Sequence, residues 1–143
     1  MTKFATKLQS LILKLEELPV LAEIIADEEM AIKFPEKVKE QIQVDGENDQ
    51  EQIIQQGYSN YWGTIRSTQG LQTEYVDLYY TGTFLDNLST IKSGEEYYLT
   101  STVPYLDDLK DRYEGILGLQ DDNLGIIVEE IKKKLLKELR NGR

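Results

Sequence analysis

The chain has 143 residues, the size of one domain able to bury roughly 70% of its unfolded surface. It contains no cysteine, which excludes disulfides, thiol catalysis and thiolate metal sites. It also contains no histidine, which removes the commonest general base near neutral pH, the Ser-His and Cys-His nucleophile pairs, and the usual zinc ligand.

The net charge of −10 opposes phosphate binding, because affinity for nucleic acid comes largely from Lys and Arg displacing counterions. No stretch reaches the roughly 18 uninterrupted apolar residues of a membrane span, and the N-terminus lacks the apolar centre and small-residue cleavage site of an export signal. Neither nucleic acid nor a membrane is expected as a direct partner.

In chain order, Phe4, Leu8, Leu11, Leu15 and Leu18 recur at the spacing of one helical face, with Lys3, Lys7, Lys14 and Glu16 turned away from it. Pro19 ends that helix and suits the first turn of the next, whose apolar stripe is Leu21, Ile24, Ile25 and Ile32. Pro35 is expected to interrupt it, leaving a short third helix from Pro35 to about Gln43 that docks through Val38 and Ile42. Residues 1–43 thus read as a helical N-terminal part. Residues 44–72 read as a long loop in which Gly57, Gly63 and Gly70 bracket Tyr58, Tyr61, Trp62 and Ile65. Loops of that length inside a compact domain are usually functional or disordered, which makes this one a candidate contact surface. The competing expectation is that Tyr61 and Trp62 fold back as a lid on the core.

Residues 73–103 gather nearly all the β-favouring residues into a strand module. Val76, Leu78 and Tyr80 alternate with Tyr75, Asp77 and Tyr79, which predicts a strand over 74–80. Thr81-Gly82 then turns the chain, with Thr83 expected to cap a short helical turn at Phe84-Leu85-Asp86. Leu88 to Lys92, a turn at Ser93-Gly94, and Glu95 to Val103 form the hairpin signal, with Tyr97, Leu99 and Ser101 on the face opposite Tyr98, Thr100 and Thr102. Residues 104–143 hold two helices. The first starts at Pro104, carries Asp107 and Asp108 in its first turns and ends at Gly115; the second carries Leu124, Ile127, Ile131, Leu135 and Leu139 on one stripe, with acids early and basic residues late, as the helix dipole prefers.

The residues that could carry chemistry do so weakly. Asp45, Glu47, Asp49 and Glu51 alternate like a calcium loop, but Gln50 and Gln56 stand where that loop requires glycine and glutamate. Pairs such as Asp107 with Asp111, or Asp121 with Asp122, suit helix starts as well as acid-base work. The glycines are too far apart for a phosphate loop. No catalytic residue, cofactor, metal or small-molecule substrate is expected from these patterns.

The segment Leu78 to Leu88, LYYTGTFLDNL, resembles the signature of small tailed-bacteriophage virion proteins of the head-completion, neck and tail-completion group: Thr-Gly, an aromatic or leucine, a short polar run, then a branched apolar residue. The likeness extends backward through Gly57-Tyr58-Ser59, Thr64, Arg66 and Gly70 and forward through Arg112-Tyr113 and Gly118-Leu119, over about residues 41–125, with Tyr80 and Asn87 where the more familiar form has Asp and Ser. It implies a structural virion subunit at the head-to-tail junction, made in the host cytoplasm, that forms a homo-oligomeric ring and meets portal, connector or tail proteins. The expected architecture is a single α+β domain: N-terminal helices, a small mainly antiparallel sheet with an open edge, and two C-terminal helices. The expected contact residues are Tyr61 and Trp62 in the loop and Thr81, Gly82 and Phe84 at the corner, the last three being equally readable as a purely structural turn. The alternative is a small acidic adaptor or inhibitor that binds a basic protein surface.

Overall fold

Twenty-five residues from Pro19 to Gln43 form one helix, α1, in the computed structural model, which describes residues 19–79 and 81–141. The predicted helix from Phe4 to Leu18 lies outside the described residues. Pro35 sits within α1 instead of ending it. A proline in a helix interior costs about 3 kcal/mol through its missing N–H and its clash with the preceding turn. Against that, Phe34, Val38 and Ile42 are all fully buried and continue the seam of Ala22, Ala26 and Met30. Each is worth about 1.5–3 kcal/mol on burial, so the seam outweighs the proline and the separate helix from Pro35 does not arise.

The elements that follow are α2 (Asn60–Thr68), the single turn α3 (Thr83–Asp86), β1 (Leu88–Ser93), β2 (Glu96–Ser101), α4 (Leu106–Arg112) and α5 (Asp121–Arg140). The fold is α+β, with one two-stranded antiparallel sheet among the described residues. β1 and β2 pair from Leu88↔Ser101 to Ser93↔Glu96. The turn is therefore Gly94-Glu95, one residue beyond the expected Ser93-Gly94, and Gly94 takes the positive φ of 63° that the first position of a tight hairpin turn demands. Tyr97, Leu99 and Ser101 are buried, the face the alternation predicts. The hairpin lies on α1: Thr90 Oγ1 donates to the Met30 carbonyl at 2.8 Å, the Tyr97 hydroxyl donates to Asp27, and Lys92 pairs with Glu23 at 2.7 Å and Asp27 at 2.9 Å. Burial, and then the Asp27 hydrogen bond, push the Tyr97 phenol well above its usual range.

α5 packs along α1 through Leu124, Ile127, Ile131 and Leu135, as its stripe predicts, while Leu139 in the last turn stays 39% exposed. Lys134 reaches across to Glu29, a carboxylate only 2% exposed whose second oxygen has no hydrogen-bond partner. Leu106, Leu109 and Tyr113 lean on the same core from α4 and its end, and Ile116 and Leu119 in the link to α5 are buried in it.

Three expectations for the middle of the chain are corrected. Residues 73–79 form no strand, and Tyr80 lies outside the described residues. Val76 and Asp77 are both buried although a strand would point them to opposite faces, the Val76 N–H bonds to the Gln55 carbonyl, and Leu78 turns through a φ of 53°. Among the described residues the segment pairs with no strand, and Asp77 within it binds Tyr58 and Arg66. Residues 44–72 are likewise not a continuous loop, since α2 occupies 60–68. At the corner, Gly82 and not Thr83 is the N-cap and no side chain caps the turn; Thr83 is its first helical residue, and its N–H donates to Thr81 Oγ1 at 3.4 Å.

A buried amide ties the ends of the fold together. Gln41, 1% exposed, donates to the Gly118 carbonyl at 3.0 Å and accepts from the Gln120 N–H at 3.0 Å and the Asn123 amide at 2.8 Å. Beside it the Asp49 side chain lies so close to Gly118 that any Cβ there would fall inside it. Each buried group left unpaired costs about 1–3 kcal/mol. Gln41→Leu strands at least two of them, so it is expected to lower stability by about 3 kcal/mol, read as a reduced urea midpoint at unchanged slope.

Candidate functional site

α2 is a helix that its own sequence does not favour. Asn60, Tyr61, Trp62, Gly63, Thr64, Ile65, Ser67 and Thr68 are all middling or poor helix formers. Ser59 starts it, its Oγ accepting from the Trp62 N–H at 3.3 Å. Among the described elements the helix makes no extensive contact with another helix or strand, and Arg66 is its one buried residue. From Gln52 to Thr73 Arg66 is also the only charged side chain.

That arginine holds the helix in place. The Arg66 and Asp77 side chains are 4% and 6% exposed, and Nη2 lies 3.0 Å from Asp77 Oδ1. Nε donates to the Gln72 carbonyl at 3.0 Å, Nη1 donates to the Tyr79 carbonyl, and the guanidinium lies 4.2 Å over the Tyr58 ring. The Asp77 oxygen also accepts from the Tyr58 hydroxyl at 2.9 Å and the Tyr79 N–H at 3.0 Å, while the Asp77 N–H donates back to the Tyr58 oxygen at 3.0 Å. Every strong donor of the guanidinium that the network uses ends on the 72–79 segment, so α2 and that segment clasp one another. Burial pushes the Tyr58 phenol up to about 12, with the neighbouring Asp77 carboxylate adding to the rise.

Held this way, Tyr61 and Trp62 project outward at 70% and 50% exposure, their rings 5.5 Å apart and edge-to-face at 77°. They do not form a lid. The corner residues separate from them: Phe84 is 3% exposed and belongs to the core, Gly82 is buried, and Thr81 is exposed. Gly82 has a φ of 84°, and a Cβ there would stand 2.9 Å from Asp86 Oδ2 and 3.1 Å from the Tyr79 ring. Its reason is thus a structural turn. Tyr79 links the two regions, with its carbonyl on Arg66 and its ring against Gly82. Sequence reasoning had Tyr58 and Arg66 only as parts of a loose likeness and missed Asp77 as their partner. The available signal was a single cation in a long uncharged stretch, facing an acid set among apolar residues.

Among the described residues, two clefts flank this architecture. One, of about 440 Å³, runs beside α2 and is lined only by uncharged residues from Gly57 to Thr73. The other, of about 290 Å³, lies between β2 and the 113–118 segment and has Asp49, Lys110 and Glu114 on its walls. Burial raises the Asp49 carboxyl above its usual range, with Glu114 adding to the rise. Among the described residues no three His, Cys, Asp or Glu side chains gather in a way that could hold a metal ion, and no helix is long and apolar enough to cross a membrane. No protein-family model, curated protein or solved structure matches the chain.

Two outcomes follow from the clasp. Arg66→Met leaves the Asp77 carboxylate buried and alone, which costs the clasp about 3–5 kcal/mol, read as faster native-state proteolysis within 57–79, and a second change, Asp77→Leu, restores most of the loss because the pair is then replaced by apolar packing. Tyr58 keeps its proton in the folded chain to about pH 12 but releases it near 10.0 when unfolded, so its contribution is complete below pH 10 and is lost as pH rises between those values. Tyr58→Phe is expected to lose about 1 kcal/mol at neutral pH and to show a shallower alkaline decline than the parent chain in pH-dependent melts.

Proposed function

We propose that this chain is a structural subunit of a tailed-bacteriophage virion at the head-to-tail junction, repeated around the portal or tail axis and acting through protein-protein assembly without catalysis. The observation that carries the assembly reading is α2. A helix with poor propensity and one buried side chain is held by a buried ion-pair network, and what it presents is a pair of exposed aromatic rings on an uncharged surface. Tyr and Trp dominate the energetics of protein interfaces, and charge is depleted at interface centres. The likeness of Leu78–Leu88 to the neck and tail-completion group points the reading toward a virion. Tyr61 and Trp62 are the contact residues under this reading, Thr81 lies at its margin, and Gly82 and Phe84 support the corner from within.

The −10 charge favours the second reading, an acidic adaptor that binds a basic protein. Sizing by light scattering separates the two. An assembly subunit forms rings or binds portal and tail components at moderate salt, and Trp62→Ala weakens that association by about 30-fold or more, the loss of one interface anchor of about 2 kcal/mol. A monomer whose only partner is released by salt, and which is indifferent to Trp62→Ala, supports the adaptor instead.

A further inference from the structure

We propose that the receiving surface for the α2 aromatic pair is the cleft between β2 and the 113–118 segment of a second copy of this chain, so that copies join head to tail. The inference rests on the assembly reading and names its partner surface.

Charge limits where two such chains can meet. Each carries −10, and like-charged bodies in contact repel within about 8 Å of one another at physiological salt. The stretch from Gln52 to Thr73 has one charge, and it is buried and neutralised by Asp77. This face can approach a copy without adding to the repulsion. The cleft that would receive it carries Lys110 between the acids Asp49 and Glu114, a lining that an uncharged face meets without added repulsion, and its floor is apolar, with Leu99 6% and Ile116 1% exposed beside Leu117 and the exposed ring of Tyr98.

The chemistry of the two surfaces matches. The apolar floor of the cleft suits an aromatic ring, and Asp49 on its wall is held in place by its backbone bond to the Gly115 carbonyl at 3.0 Å. Lys110 can lie over the outward face of Tyr61, an arrangement that attracts a cation. A volume of about 290 Å³ is at the low end for ligand pockets, sized for an aromatic anchor and its neighbour and too small for an extended ligand. The cleft and α2 share no residue. Each copy can therefore give and receive at once, the condition for a ring and one that a two-fold contact between α2 helices would not meet.

Sedimentation velocity on wild type, Trp62→Ala, Leu117→Arg and an equimolar mixture of the two variants tests this, with melting curves to show that each variant is folded. Trp62→Ala loses the anchor but keeps its cleft; Leu117→Arg fills the cleft but keeps the anchor. Wild type is expected to associate beyond dimers, each variant alone to remain monomeric, and the mixture to form a dimer and nothing larger. Tyr98→Arg, at the rim, replaces Leu117→Arg if the latter melts early. A mixture that stays monomeric, or a folded cleft variant that associates like wild type, overturns the inference. Wild type that binds portal or tail proteins but never itself overturns the inference and leaves the assembly reading standing; wild type that does neither removes both.

Discussion

The buried pair of Arg66 and Asp77 is the constraint on which the outer half of this molecule depends. Taking both charges out of water costs several kcal/mol per ion, and the attraction between them offsets this only when the remaining donors and lone pairs are also satisfied. Here one carboxylate oxygen takes three donors, and the guanidinium reaches two backbone carbonyls and an aromatic face in addition to its acid. An apolar plug could match the stability. What the guanidinium adds is direction, since its planar donors fix the angle of α2 against the 72–79 segment.

The inner half is organised differently. α1 and α5 bury facing stripes, the hairpin lies on α1, and the pairing of Lys92 with Glu23 sits at the margin where it contributes little. The two halves meet through Tyr79, held by Arg66 on one side and set against the Gly82 corner on the other, and through Gln55, whose carbonyl takes the Val76 N–H. Tyr61 and Trp62 thus lie outside the main core cluster. That division would suit the proposed assembly role, because a rigid display loses less entropy on binding.

The parts of the fold built on periodicity were legible in the chain. The stripe of α5 and the alternation of Tyr97, Leu99 and Ser101 each follow from burial of one face, and burial is what a repeat of 3.6 or 2 records. The parts built on a single long-range contact were not. α2 has no stripe, only Arg66, so nothing in its local pattern marks it as helix. Val76, Leu78 and Tyr80 alternate like a strand, yet their segment bends to deliver Asp77 to an arginine eleven residues earlier. Pro35 misled for a related reason: a local rule predicts a break, while the seam of Phe34, Val38 and Ile42 that overrides it is set by contacts with distant elements. Of the candidate site, Tyr61 and Trp62 were visible as aromatics in a glycine-bracketed stretch, whereas the core burial of Phe84 appears only once the hairpin and α1 are in place.

The central claim is that one buried ion pair holds the helix that presents the aromatic rings, and that the rest of the fold stands without it. Native-state hydrogen exchange on the parent chain and on Asp77→Asn tests this most directly. The account predicts that the α2 amides over 60–68 are protected in the parent and lose that protection in the variant, while those of α1 and α5 keep theirs. Unchanged protection in α2, or an equal loss across α1, α2 and α5, would contradict it.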